Sequence, residues 1–274
     1  MVNPVFRAPV APLFVPGDRP ERFARAADSG ADAVILDLED AVGAGQRERA
    51  REAVARHGIT RVPVIVRVNA AASGELERDI KALQNATFSA LMLAKAEYAA
   101  DVRRIHALLG RQMPVIVLVE TVAAFADLGT LLQAPGVVQA AFGSLDLALD
   151  LGCQPDWQAL SHCRGALVQQ SRLANIAAPL DGVTLDLDDP QQVREDAQRA
   201  SRLGFGGKLL IHPRQVSPTL ESFLPDATTL EWARRVLAAT TSDAAVRIDG
   251  AMVDRPLIER ARRIIARANM TGEC

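Results

Sequence analysis

Ala33-Val-Ile-Leu-Asp-Leu-Glu-Asp40 is a short aliphatic run that stops abruptly in carboxylates, and the rest of the chain repeats its pattern. A run that is apolar at successive positions suits a parallel strand buried on both faces. One such run precedes it at Leu13–Val15. Others follow at Val64–Val68, Ala90–Leu93, Val115–Val119, Val138–Phe142, Ala177–Leu180 and Lys208–Ile211. Between them lie Ala/Arg/Glu-rich stretches with helical spacing, such as Glu21 to Ser29, Gln46 to Arg56, Glu75 to Gln84, Ala99 to Leu109 and Gln191 to Leu203. Strands alternating with helices imply right-handed βαβ units and a parallel sheet. Eight units within roughly the first 210 residues favour a closed (β/α)8 TIM barrel over an open doubly wound sheet. The seventh run is the weakest, because Pro179 interrupts it.

Past the eighth run the pattern changes. Pro213, Pro218 and Pro225 punctuate the chain, helices are predicted over Leu230–Ala239 and Pro256–Ala268, and Val246–Asp254 reads as extended with a turn at Gly250. The expected organisation is an α/β barrel over residues 1–215 with a C-terminal helical extension over 216–274, packing on the barrel or on a neighbouring subunit.

Composition agrees with this architecture. The 274 residues are 49% hydrophobic but only 4% aromatic, so the core must be built from Ala, Val, Leu and Ile. A net charge of -2 argues against a nucleic-acid surface. No run reaches the ~18 apolar residues of a membrane helix, and Met1 to Pro12 does not read as a secretory signal. Cys153, Cys163 and Cys274 show no metal spacing and read as reduced thiols of a cytoplasmic protein.

Chemistry in such barrels gathers where strands end. Just past the eight runs stand Pro16–Gly17, Asp37–Glu39–Asp40, Arg67–Asn69, Lys95–Glu97, Glu120–Thr121, Ser144–Asp146, Asp181 and His212. Carboxylates dominate this ring: Asp37, Glu39, Asp40, Glu120, Asp146 and Asp181. Crowded carboxylates repel unless cations hold them, and a hard ion such as Mg²⁺, bound by one or two carboxylates plus substrate oxygens and water, resolves the conflict. Arg67 can grip a carboxylate with its planar fork. Metal, arginine and oxygen ligands together describe a pocket for an acid bearing a neighbouring carbonyl or hydroxyl.

At this point the chain resembles the citrate lyase beta-subunit-like family, which includes citramalyl-CoA and malyl-CoA lyases. The matching pieces are Leu13-Phe-Val-Pro-Gly-Asp-Arg-Pro-Glu-Arg-Phe23, Gly30-Ala-Asp-Ala-Val-Ile-Leu-Asp-Leu-Glu-Asp-Ala-Val42, Val66-Arg-Val-Asn69, Val119-Glu-Thr121, Phe142-Gly-Ser-Leu-Asp146, Gly204-Phe-Gly-Gly-Lys208, Ile211-His-Pro-Arg-Gln215 and Asp249-Gly-Ala-Met-Val-Asp-Arg-Pro256. The chain departs from the family's pattern at Ala94-Lys-Ala-Glu97, at Ala123-Ala124 and at Arg7. The resemblance implies that Glu120 and Asp146 hold Mg²⁺, that Arg67 binds the substrate carboxylate, and that Glu39 or Asp40 orients the arginine or a metal-bound water. It also implies that Asp254 reaches the active site of a neighbouring subunit in a homo-oligomer, a trimer or hexamer. The expected catalytic residues are therefore Arg67, Asp254 and Glu39, with Glu120, Asp40 and Lys95 as further substrate contacts.

The implied activity is cleavage of a 3-hydroxy-carboxyacyl thioester (citramalyl-CoA, malyl-CoA or a citryl thioester) to an α-keto acid and an acetyl thioester. Two alternatives stand beside it: the beta subunit of a citrate lyase complex working with an acyl carrier protein, and a metal-dependent pyruvate-class aldolase acting on free keto acids.

Other residues read as structural. From spacing alone, without the resemblance, Glu120 and Asp146 could equally cap helices, and Asp37 is expected to point outward or buttress a loop. His212, beside Pro213, reads as a turn residue. His57, His106 and His162 fall on predicted helices. Gly204–Gly207 with Lys208 lacks the spacing of a phosphate loop and reads as a structural turn.

Overall fold

The computed structural model describes residues 6–239, 246–248 and 251–269. Eight parallel strands run in sequence order β1 (Pro12–Pro16), β2 (Ala33–Asp37), β3 (Val64–Val68), β4 (Ala90–Leu93), β5 (Val115–Val119), β6 (Val137–Phe142), β7 (Ala177–Asp181) and β8 (Gly207–Lys208). The first and last strands meet through a Leu13–Leu210 bridge and through Leu210 N–H donating to Pro12 O, which makes a nearly closed (β/α)8 barrel. Asp32 helps at the seam: its carboxylate accepts the backbone N–H groups of Val10 and Ala11 at 2.6 and 2.9 Å. Gly207 packs against Val10, where a side chain would collide with backbone, so the Gly204–Gly207 segment is the structural turn its spacing predicts.

Helices cover the strands: α1 (Phe23–Ala27), α2 (Arg47–Ala55), α3 (Leu76–Leu83), α4 (Ala99–Leu109), α5 (Val122–Ala126), α6 (Leu128–Leu132), α7 (Ser144–Leu151), α8 (Ser161–Leu173), α9 (Pro190–Leu203) and α10 (Val216–Phe223). His106 lies buried on α4 with Nε2 at 2.9 Å from Met113 O, whereas His57 falls just past the end of α2 and not on it.

Side chains of a strand alternate between its two faces. Ala33, Ile35, Ile65, Ala90, Met92, Ile116, Leu118, Ala141, Leu180 and Leu209 share one buried cluster, the filled interior of the barrel. That parity decides which strand-end residues face the crater. Asp37, Arg67 and Glu120 each stand two residues past an interior side chain. Asp181 and Lys208, next to interior Leu180 and Leu209, point the other way. Asp181, expected in the carboxylate ring, therefore lies behind the barrel wall with Arg164 and Lys208.

The chain divides into two compact units, residues 1–220 and 221–274. The second holds α11 (Ala227–Ala239), an antiparallel pair β9 (Val246–Ile248) and β10 (Ala251–Val253), and α12 (Arg255–Asn269). Its core gathers Ala233, Val236, Val253, Ile258 and Ala261. The turn expected at Gly250 and the thiol of Cys274 lie outside the described residues. Among the described residues no helix is long and apolar enough to cross a membrane.

Candidate active site

Strands β2 and β3 pair so that Asp37 stands opposite Arg67. The guanidinium meets that carboxylate with both prongs, Nε on Oδ1 and Nη2 on Oδ2, each at 2.6 Å. Its third nitrogen, Nη1, lies 3.1 Å from Glu39 and 4.0 Å from Asp40. Phe14, from the interior of β1, closes the other side, its ring centroid 4.8 Å from the guanidinium carbon. Such bidentate pairing fixes the plane as well as the position of the fork. Burial works against the charge of Arg67, yet Asp37 and Glu39 outweigh it and hold the guanidinium above its usual range. The Asp37 carboxylate also accepts the backbone N–H groups of Glu39 and Ala41 at 3.0 and 3.1 Å, so one residue shapes the loop and aims the arginine. Of the two placements expected of it, pointing outward or buttressing a loop, the structure shows the second, with the carboxylate facing inward.

Behind this pair a second network sets the loops. Asn69 donates to Leu38 O at 2.8 Å and to Asp79 at 2.8 Å, and Asp79 in turn takes Arg51 Nε at 2.7 Å. Arg51 and Asp79 carry no motif that separates them from ordinary helix residues, and sequence reasoning passes over both.

Lys95 follows β4 with φ +46°, a left-handed conformation that costs a non-glycine residue on the order of 1 kcal/mol. The turn aims its backbone N–H at Glu120 Oε1, 2.8 Å away, and brings Nζ to 2.6 Å from Glu39, 3.7 Å from Asp40 and 3.8 Å from Asp146. Burial disfavours its charge, but the bond to Glu39 and the surrounding carboxylates together hold the ammonium above its usual range. For Glu39 the balance is reversed: burial raises its proton affinity more than Arg67 and Lys95 lower it.

Glu120 ends β5 and is only 2% exposed. Burial, opposed by the Lys95 contacts and reinforced by Asp146 and Glu39, pushes its carboxyl up to about 8. Gly143, after β6, is what makes room for it: a side chain there would run into Glu120 Cβ and Oε2. Asp146 sits in the first turn of α7, where a helix N-terminus favours negative charge. The crater thus gathers Arg67, Glu39, Asp40, Lys95, Glu120 and Asp146 in one place. Asp254 belongs to the second unit, where it follows β10 as an exposed residue whose carbonyl accepts the first N–H groups of α12. His212 accepts the N–H of Arg214 at 3.2 Å, a turn role.

The donor set fits a divalent cation. Counted as ionised, Asp37, Glu39, Asp40, Glu120 and Asp146 face only Arg67 and Lys95, which leaves negative charge in excess. Among the described residues no group of three or more His, Cys, Asp or Glu could by itself hold a metal. Mg²⁺ needs no such group, because it keeps waters and accepts one or two carboxylates plus substrate oxygens.

The family described as HpcH/HpaI aldolase/citrate lyase matches residues 11–213. The chain is 36% identical over 265 residues to the citrate lyase subunit beta-like protein of Mycobacterium tuberculosis, a match covering 93% of this chain and 94% of that one. With the L-malyl-CoA/beta-methylmalyl-CoA lyase of Cereibacter sphaeroides it shares 30% over 299 residues, 94% of each chain. Among solved structures, the protein CitE from Mycobacterium tuberculosis in complex with magnesium, acetoacetate and coenzyme A gives a TM-score of 0.87 at 34% identity, covering 96% of this chain and 100% of that one.

Proposed function

Because this chain belongs to the HpcH/HpaI aldolase/citrate lyase family and is a carbon–carbon lyase, we propose that it cleaves a 3-hydroxy-carboxyacyl thioester with the help of Mg²⁺. The products of that reaction are an α-keto acid and an acetyl thioester. The observation that carries this reading is the meeting, in one crater, of a clamped guanidinium and the buried Glu120 beside Asp146. Glu120 and Asp146 are the residues that would hold the ion. When bound, it supplies Lewis-acid polarisation of the substrate's hydroxyl and carboxylate oxygens.

The chain's own groups do the rest. Arg67, locked in plane by Asp37, binds the substrate carboxylate without first paying to order its side chain. Glu39 bridges Arg67 and Lys95 and so keeps both cations aimed into the crater. Transfer of the hydroxyl proton to a crater carboxylate lets the carbonyl form while the bond to the thioester's α-carbon breaks, and its electron pair passes to that carbon as an enolate. Charge therefore builds on both fragments, where fixed cations help most. Asp254 of a neighbouring chain assists the proton transfer from solvent that converts the enolate to acetyl thioester, which makes the working unit a homo-oligomer. Coenzyme A is the thiol we assign, on the likeness to a relative crystallised with it across the whole chain.

Purified protein assayed against citramalyl-, malyl- and citryl-CoA, with Mg²⁺ or EDTA, tests the reading. Metal-dependent release of a keto acid from one of the three is expected. No release from any of them, with intact protein and metal present, overturns it.

A further inference from the structure

We propose that Asn69, anchored by Asp79 on α3 and Arg51 on α2, is a positioning residue that aims Glu39, and through Glu39 the Lys95 ammonium, into the crater. The catalytic consequence rests on the lyase reading; the geometry does not.

Strand β3 ends at Val68, so Asn69 is the first residue past it, as Leu38 is the first past β2. Leu38 N–H donates to Arg67 O at 3.0 Å, which continues the parallel ladder by one bond. The next bond of that ladder would run from the backbone N–H of residue 69 to Leu38 O. Instead that N–H donates to Asp79 Oδ2 at 2.9 Å, and the side-chain Nδ2 takes its place at Leu38 O, 2.8 Å away. Nδ2 also donates to Asp79 Oδ2 at 2.8 Å. One peptide unit is thereby held at both ends. Its carbonyl, Leu38 O, accepts from Asn69, and its N–H, that of Glu39, donates to Asp37 Oδ1 at 3.0 Å. Fixing that plane fixes the direction in which the Glu39 side chain leaves the backbone. Glu39 then reaches Lys95 Nζ at 2.6 Å and Arg67 Nη1 at 3.1 Å.

The anchor is buried and fully paired. Asn69, Asp79 and Arg51 are 4%, 0% and 3% exposed. Asp79 Oδ1 accepts Arg51 Nε at 2.7 Å, and the other two guanidinium nitrogens donate to Glu48 and Glu75. A buried ion pair often contributes little to stability beyond an apolar pair of the same volume; what this one adds is a fixed direction for the Asn69 amide. The consequence separates binding from turnover. Arg67 is clamped by Asp37 through bonds that do not involve Asn69. Lys95 makes its shortest side-chain contact with Glu39, so loosening Glu39 frees a cation that must stay fixed where charge builds.

Hydrogen exchange read by mass spectrometry on metal-free protein tests the geometry without any substrate. Asn69→Leu fills nearly the same volume but donates nothing from its side chain. In that variant the amides of Glu39, Asp40 and Ala41, which all donate within the loop, should exchange about tenfold faster or more than in the parent. Those of Val115–Val119 should stay as protected as before. With whichever thioester the parent cleaves, the same variant should lose about tenfold or more in kcat at a KM within about twofold of the parent's. If the leucine variant does not fold, Asn69→Ala takes its place with the same expectations. Unchanged exchange at Glu39–Ala41 overturns the proposal, whether or not any thioester is cleaved. So does protection lost equally at Val115–Val119 in both variants, which would make Asn69 a residue of the whole fold. Faster loop exchange with an unchanged kcat overturns it as well, because Asn69 would then shape the loop without aiming the groups that react. A parent that cleaves none of the three thioesters contradicts the lyase reading instead, and the exchange result still decides the geometry.

Discussion

Asp37 and Arg67 meet because each stands two residues beyond a core-facing isoleucine on neighbouring strands, so pleat and register deliver them to the same spot. Their pairing predicts that Arg67→Lys, which preserves charge but not the fork, lowers kcat/KM for the preferred thioester by roughly 100-fold. Asp37→Asn, which loosens the arginine, should cost about 10- to 100-fold with the fold intact; unchanged steady-state constants in both variants would contradict the assignment. Glu120 carries a pH signature. Its carboxyl lies near 8 in the folded, metal-free protein and near 4.5 when unfolded, so the folded state binds the extra proton between those values. Metal-free stability from this group must therefore fall as pH rises through that window, by on the order of a few kcal/mol in total. Denaturant titrations of metal-free protein at pH 5 and pH 8 should show the decline, and Glu120→Gln should remove part of it, the remainder belonging to Asp32, Glu39 and Asp79, which burial raises as well. Equal slopes in the two proteins would refute the burial argument.

At the level of elements, the aliphatic runs announced the strands, since a parallel strand buried on both faces has to be continuously apolar. Val64–Val68, Ala90–Leu93 and Val115–Val119 begin and end as their composition predicts. The crater was legible for the same reason: charge abutting such a run marks a strand end. Direction was not. Whether a strand-end residue faces the crater depends on pleat parity, and around β7 the register with β6 shifts, so Asp181 could not be placed from its position alone. The clamp role of Asp37 was also hidden, because a cross-strand pair depends on register that no local pattern encodes. Loops add a third layer that only coordinates reveal, as with the left-handed turn at Lys95 and the space left by Gly143. Gly143→Ala alters no charge and no ligand, yet it should push Glu120 aside and weaken Mg²⁺ binding about tenfold or more by calorimetry. Binding as tight as the parent's would show that the glycine is not what seats Glu120.

On the scale of the whole molecule, the proposed mechanism turns on Asp254 of the second unit. Asp254 is exposed beside a small apolar core, and the active site proposed here borrows it from a neighbouring chain. Asp254→Asn is nearly isosteric, so assembly should survive while thioester cleavage drops by roughly 100-fold. Mixing Asp254→Asn subunits with Arg67→Ala subunits should then restore part of the activity, because some sites would combine an intact barrel with an intact aspartate; no recovery in proven mixed assemblies would place the aspartate in its own chain's site or outside catalysis. The central claim, a metal-dependent lyase built on Glu120 and Asp146, meets its most direct test in keto-acid release from the preferred thioester, measured with Mg²⁺ and with EDTA for the parent, Glu120→Ala and Asp146→Ala. The account predicts turnover only in the parent with Mg²⁺, together with loss of calorimetric Mg²⁺ binding in both folded variants. Near-native turnover by either variant in EDTA would contradict it.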